Sequence, residues 1–177
     1  MAFSNYRNCA PKTGNITVNG VIVWQGSGCN GNSPSARGVF TLLVDPLACF
    51  VKESHNFDTH ISSTNGERLR DYLNRLDRGS VIVAVTADEA SNHIRTADSV
   101  LRQQFGVQVR DVRYRGSFAF VAQKGYPDKT VLSKAVTETE SHSAPAHVVA
   151  IVTTDRGKHG PRGLLVRRRI VQNTLLM

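Results

Sequence analysis

A small number of residues in this 177-residue chain are of types and spacings that do chemistry. Asp88 and Glu89 follow the β-branched run 80–86 (SVIVAVT) and precede a helical pattern. Carboxylates there complement the positive end of a helix. They also sit at the C-terminal end of a buried strand, where α/β sheets build their ligand sites, and a carboxylate there accepts hydrogen bonds from a polyol. Arg110, Arg113 and Arg115 alternate with Val109, Val112 and Tyr114, as on the solvent side of an edge strand. Arg115 ends that run just before the next strand pattern, which places it to turn into a cleft. His55 and His60 flank Asp58, but a five-residue step does not put two imidazoles on one helical face and no third ligand is spaced to help, so no metal is expected. Gly26-Ser27-Gly28-Cys29-Asn30-Gly31 matches G-x-G-x-x-G after a strand. A dinucleotide site needs a helix to begin there, whereas 32–35 continue as loop, so the segment reads as a glycine-rich loop and no cofactor is expected. There is no Ser/His/Asp order, activated cysteine or paired-carboxylate motif, and no catalytic residue is assigned.

The elements that must position these residues follow from periodicity. Asn19-Gly20 between β-branched runs predicts a hairpin, and 39–44 with 48–51 predicts a second, turning at Asp45-Pro46. Thr64 and Glu67 fit a capping box opening a helix whose apolar face is Leu69, Tyr72, Leu73 and Leu76, with Gly79 as its left-handed cap. The run 80–86 reads as a strand buried on both faces. A second helix is predicted over 89–105 and closed by Gly106, strands over 107–112 and 117–122, a short helix over 131–136 and a last strand over 146–153. The sum is one domain of the α/β class, a mixed sheet with helices inserted after paired strands. Residues 1–15 read as an N-terminal extension, 16–154 as the domain and 155–177 as a basic, flexible tail.

The chain carries a formal charge of +8, which taken whole suggests a polyanion partner. Five of those eight units belong to 155–177, where Arg156, Lys158, Arg162, Arg167, Arg168 and Arg169 face the single acid Asp155. The folded part keeps about +3, so nucleic acid is not the expected partner. No apolar run reaches the ~20 residues of a membrane span. Cys9, Cys29 and Cys49 leave one unpaired whatever pairs, and none forms C-x-x-C. Asn15-Ile16-Thr17 is a glycosylation sequon if the chain is secreted. The N-terminus shows no apolar signal-peptide core.

Several strings together resemble one family. Arg37-Gly38-Val39-Phe40 leads into a hydrophobic strand, and Phe57-Asp58-Thr59-His60 resembles its F-D-T-[YH] loop. Residues 83–89 (VAVTADE) resemble its strand running into D-E. Tyr114-Arg115-Gly116-Ser117-Phe118, closing in Lys124-Gly125, resembles its aromatic-Arg strand. The chain is on these grounds similar to the interleukin-like EMT inducer domain over about 16–125. Tyr114 stands where many members have Trp, and the cysteine pairs of the cytokine-like members are not reproduced. The resemblance implies a compact mixed β-sheet sandwich of β-β-α type with about three flanking helices, secreted or extracellular and without catalysis of its own. In lectin-like members such a domain holds a terminal β-linked N-acetylglucosamine. The positions matching its sugar contacts are Arg37, Asp88 and Arg115, two of which the residue pattern alone had singled out. A carboxylate accepts from sugar hydroxyls, and guanidinium forks donate to hydroxyl and acetamide oxygens. The expected partner is therefore a glycan or glycoprotein. The alternatives are a cytokine-like module binding a protein receptor and, behind it, a glycan-processing enzyme domain.

Overall fold

A computed structural model describes residues 2–4, 14–18, 20–26, 37–48, 50–114, 116–135, 146–148, 150–154 and 164–168. The Asn-Gly hairpin forms as expected. Strands β2 (Gly14–Val18) and β3 (Val21–Gly26) pair antiparallel around Gly20, whose φ is 80°. Strand β1 (Ala2–Ser4) lies beside β2, inside the stretch expected as an extension. The second hairpin is longer than its sequence signal, with β4 (Gly38–Asp45) against β5 (Phe50–Phe57).

The run 80–86 becomes strand β6 (Val81–Ala87), buried at every position. It pairs with β4 on one side and with β7 (Ser117–Gln123) on the other. Strand β8 (Val131–Ala135) completes a five-stranded sheet of order β5-β4-β6-β7-β8. A helix was expected at 131–136. The open edge of β7 supplies a ladder for these residues, with Val131 opposite Val121, and so short a segment forms a helix poorly on its own. Strand β9 (Ala146–Val148) joins β1 in a four-stranded sheet of order β3-β2-β1-β9. Strand β10 (Ala150–Thr154) pairs with β11 (Leu164–Arg168), so part of the segment expected as a tail is strand; the rest of 155–177 lies outside the described residues.

Strict alternation divides the core in two. Val81, Val83, Val85 and Ala87 of β6 pack with Phe40, Leu42, Ile16 and Trp24 between the two larger sheets, and Trp24 stacks on Phe40 at 4.4 Å. Ile82 and Ala84 face the other way, toward Leu69, Leu73, Leu101 and Phe105 on the helices. The fold class is as expected, two stacked sheets with helices on one outer face. Every strand pairing among the described residues is antiparallel.

Helix α1 (Ser63–Arg75) buries Leu69, Tyr72 and Leu73 as its periodicity requires. The capping box does not form. The cap position is Ser62, Thr64 and Glu67 lie inside the helix, and the first turn is tied down by the Asn65 amide, which donates to the Asp58 carbonyl at 3.1 Å. Gly79 is not the cap either. The helix ends at Arg75, and the buried Lys124 ammonium donates to the carbonyls of Leu73, Asn74 and Leu76 at 3.0, 2.8 and 2.6 Å. The helix expected at 89–105 is broken into α2 (Ser91–Ile94), a 3₁₀ turn (Arg95–Ala97) and α3 (Asp98–Phe105). Gly106 closes α3 with φ 67°. Residues 107–112 form no strand. Their alternation records the burial of Val107, Val109 and Val112 in the helix-side core, while Asp98 accepts from the Val109 amide and from Arg110.

Candidate functional site

The strand register brings the expected residues to one edge. Gly38 lies opposite Ala87, and Val39 lies opposite both Phe57 and Thr86. One step further along each strand stand Arg37, Asp58 and Asp88, at the start of β4 and the ends of β5 and β6. Strand β7 begins at the same edge. Gly38 makes the convergence possible. Its φ is 97°, and a Cβ there would lie 2.1 Å from the Phe57 carbonyl oxygen and 2.7 Å from the Asp58 Cα. Only glycine lets the first residues of β4 approach the end of β5 this closely.

Arg37 meets Asp58 as a fork. Its Nε donates to both carboxylate oxygens at 3.1 Å, and Nη2 donates to Oδ2 at 2.8 Å. The bond to Asp58 raises the proton affinity of the guanidinium; burial opposes this, and the fields of Asp58, Asp88 and Glu89 add to it. Arg37 therefore stands in a local field of three carboxylates. Asp58 also accepts from the amides of His60 and Ile61, both at 3.3 Å, in an Asx-type turn.

The 58–61 loop is stitched to the loop after β6. The buried Thr59 hydroxyl donates to the Ala90 carbonyl at 2.8 Å, and the His93 amide donates to the Thr59 carbonyl at 2.9 Å. Asn92 reaches the carbonyl and the ring Nδ1 of His60, each at 3.1 Å. Glu89 is buried and accepts from the Ser91 amide at 2.5 Å, at the start of α2. Asp88 has a φ of 51°, and no other non-glycine residue among those described has a positive φ. Such a conformation costs of order 1 kcal/mol or more and persists only where the surroundings enforce it. Next to it, Thr86 Oγ1 accepts from the Phe118 amide at 3.0 Å, so a side chain stands in for backbone where β6 and β7 meet the site.

Of the three expected contacts, Arg37 and Asp88 come to this edge. Arg115 lies outside the described residues; its neighbours Gly116 and Ser117 lead into β7. Asp58, the direct partner of Arg37, is not among the contacts that the sequence points to. The available signal was its place in the F-D-T-H string, in the same family pattern as the Arg-Gly pair. His55 and His60 point to different partners, Glu53 and Asn92. Among the described residues no group of three His, Cys, Asp or Glu side chains is placed to hold a metal. Asn15 lies in β2 opposite Phe3 and Gln25, and the three cysteines lie outside the described residues. No helix among the described residues is long and apolar enough to cross a membrane.

The chain is 28% identical to the mouse cell migration-inducing and hyaluronan-binding protein over 124 residues, and 27% identical to the human protein of that name over 124. These alignments cover 70% of this chain and 9% of each relative. A zebrafish cell surface hyaluronidase is 26% identical over 120 residues, covering 65% of this chain and 8% of that protein. The chain thus spans under a tenth of the length of the curated relatives it matches. The sequence profile of the interleukin-like EMT inducer matches residues 37–126, a span that begins at Arg37 and contains Asp58, Asp88 and Arg115. The chain belongs to the interleukin-like EMT inducer family.

Proposed function

We propose that this is an extracellular, lectin-like carbohydrate-binding domain without catalysis of its own, which holds a sugar through Arg37, Asp88 and Arg115. The observation that carries the reading is the convergence of Arg37, Asp58 and Asp88 on one edge of the central sheet, with Asp88 in a strained backbone conformation. Strain concentrated beside convergent polar groups is characteristic of binding sites. A carboxylate offers about four lone-pair positions, so Asp88 accepts from sugar hydroxyls in addition to its contacts within the protein. Asp58 orients the Arg37 fork, whose remaining N–H groups donate to hydroxyl or acetamide oxygens. A binding role rather than an acid–base one is supported by the occupation of the other carboxylates: Asp58 is held by Arg37 and two amides, and Glu89 is buried against Ser91. The names of two relatives include hyaluronan, itself a glycan.

The test is a glycan array read with wild type, Arg37→Ala and Arg115→Ala. Selective binding by wild type and its loss in both variants is expected. Equal binding by all three, or by none, refutes the reading.

A second reading, a module that binds a protein receptor, is favoured by Val21, Ile22 and Val23. These are 65%, 52% and 39% exposed on β3, at one end of the strand order of its sheet. A receptor pull-down that survives Arg37→Ala with Asp88→Ala, but not Val21→Lys with Val23→Lys, would favour it.

A further inference from the structure

Away from the Arg37 edge, a groove of about 350 Å³ runs between β5 and α1. Its wall on the helix side carries Arg68 and Arg75, seven residues apart. Two helical turns separate them, a rise of about 10 Å, and both project over one groove. Among the described residues no carboxylate pairs with either. The one acid lining the groove, Asp71, is taken by Arg70 at 2.9 Å. The nearby Glu53 is taken by His55 at 3.3 Å. The groove therefore presents two uncommitted guanidinium groups.

Its other side is aromatic. The His55 ring lies 4.6 Å from the Tyr72 ring and 5.9 Å from the Phe57 ring. Tyr72 and Phe57 are buried, while the His55 side chain is 43% exposed, so His55 is the accessible ring and the other two fix its plane. Sugars commonly pair a ring face with an aromatic and their polar groups with planar donors. Asn65 also lines the groove, and its amide donates to the Asp58 carbonyl. One end of the groove is thus joined to the residue that holds Arg37.

We infer that this groove is a second subsite, which takes the carboxylates of an acidic oligosaccharide whose neutral end occupies the Arg37–Asp88 edge. Arg68 and Arg75 pair with successive uronate carboxylates, and a sugar face rests on His55. The inference rests on the carbohydrate-binding reading and adds to it the charge and the direction of the ligand.

Calorimetric titration of the full chain tests it. The probes are an octasaccharide of alternating uronate and N-acetylhexosamine, and the same octasaccharide with its carboxylates reduced to alcohols. Wild type is expected to bind the acidic form about tenfold more tightly, the gain expected of two exposed ion pairs together. Arg68→Gln with Arg75→Gln should bring that ratio to about one, with the larger loss of affinity falling on the acidic form. Arg102→Gln removes the same kind of charge from α3, away from the groove, and should keep the preference. Glutamine is a good helix former, and unchanged melting curves verify that the variants fold. A preference that survives the double substitution overturns the inference, as does equal binding of both probes by wild type, which leaves the carbohydrate reading standing. Binding of neither probe also overturns the inference, and the glycan array then decides the carbohydrate reading. Displacement of the octasaccharide by poly-glutamate at equal charge shows a groove that reads charge alone, and also overturns it.

Discussion

Arg37 and Asp58 define the site, and the strength of their coupling follows from their surroundings. Their side chains are 26% and 19% exposed. That places the pair between surface ion pairs, which contribute about 0–1 kcal/mol, and buried ones, whose disruption costs about 3–5 kcal/mol. With a forked geometry and three contacts of 2.8–3.1 Å, a coupling energy of about 1–2 kcal/mol is expected. The two single variants should not cost the same. Arg37→Ala leaves the carboxylate with the amides of His60 and Ile61. Asp58→Ala strands the His60 amide as well as the guanidinium, while Ile61 keeps the backbone carbonyl of residue 58 at 3.2 Å, and should cost roughly 1 kcal/mol more. Asp58→Asn keeps a carbonyl oxygen for the amides and should fall between them. Urea denaturation of the four members of the Arg37→Ala, Asp58→Ala cycle isolates the coupling. A coupling below about 0.3 kcal/mol, or Asp58→Asn as costly as Asp58→Ala, refutes the claim that Asp58 both holds Arg37 and builds the loop beside it.

Lys124→Met should destabilise the fold by about 2–4 kcal/mol in urea unfolding, because it removes a charged donor from three carbonyls at the end of α1; a change under 0.5 kcal/mol would contradict the capping role. Gly38→Ala should cost about 3 kcal/mol or more and abolish sugar binding, since its Cβ would press on the Phe57 carbonyl; near-wild-type melting and binding would show that the approach of β4 to β5 is not tight. Burial pushes the Tyr72 hydroxyl up to about 12, helped by Glu53 and opposed by Thr41 and Arg75. The folded state therefore keeps this proton after the unfolded chain has lost it near its ordinary value of 10. The contribution to stability is complete below pH 10 and is lost as pH rises through 12. Ultraviolet titration should show one late-ionising tyrosine that is absent from Tyr72→Phe.

The parts of the fold that were legible in the sequence are those where local chemistry and tertiary packing agree. The Asn-Gly hairpin, the doubly buried β6, the apolar face of α1 and the Gly106 cap are of this kind. Where packing decided the outcome, local signals misled. Thr64 and Glu67 spell a capping box, but Asn65 anchors that end of α1 through the Asp58 carbonyl. Gly79 looks like a cap, but a lysine far along the chain occupies the helix end. Residues 131–135 follow whichever partner is open, and the edge of β7 was open. The valine alternation at 107–112 reflects burial and not pairing. For the site, position at the end of a buried strand singled out Asp88, and the family pattern supplied Arg37. The role of Asp58 depends on the register of β4 against β5, and register across a hairpin cannot be read from residue types alone.

The central claim is that the edge formed by β4, β5 and β6 holds a sugar. The most direct measurement is the amide spectrum of the ¹⁵N-labelled chain titrated with a β-linked N-acetylglucosaminide. Weak, saturable binding on the order of millimolar is expected. The shifted resonances should centre on Gly38, on residues 58–61 and on residues 88–91, and Asp88→Asn should abolish them. Saturable shifts confined to another surface, or shifts at this edge that persist in Asp88→Asn, would contradict the account.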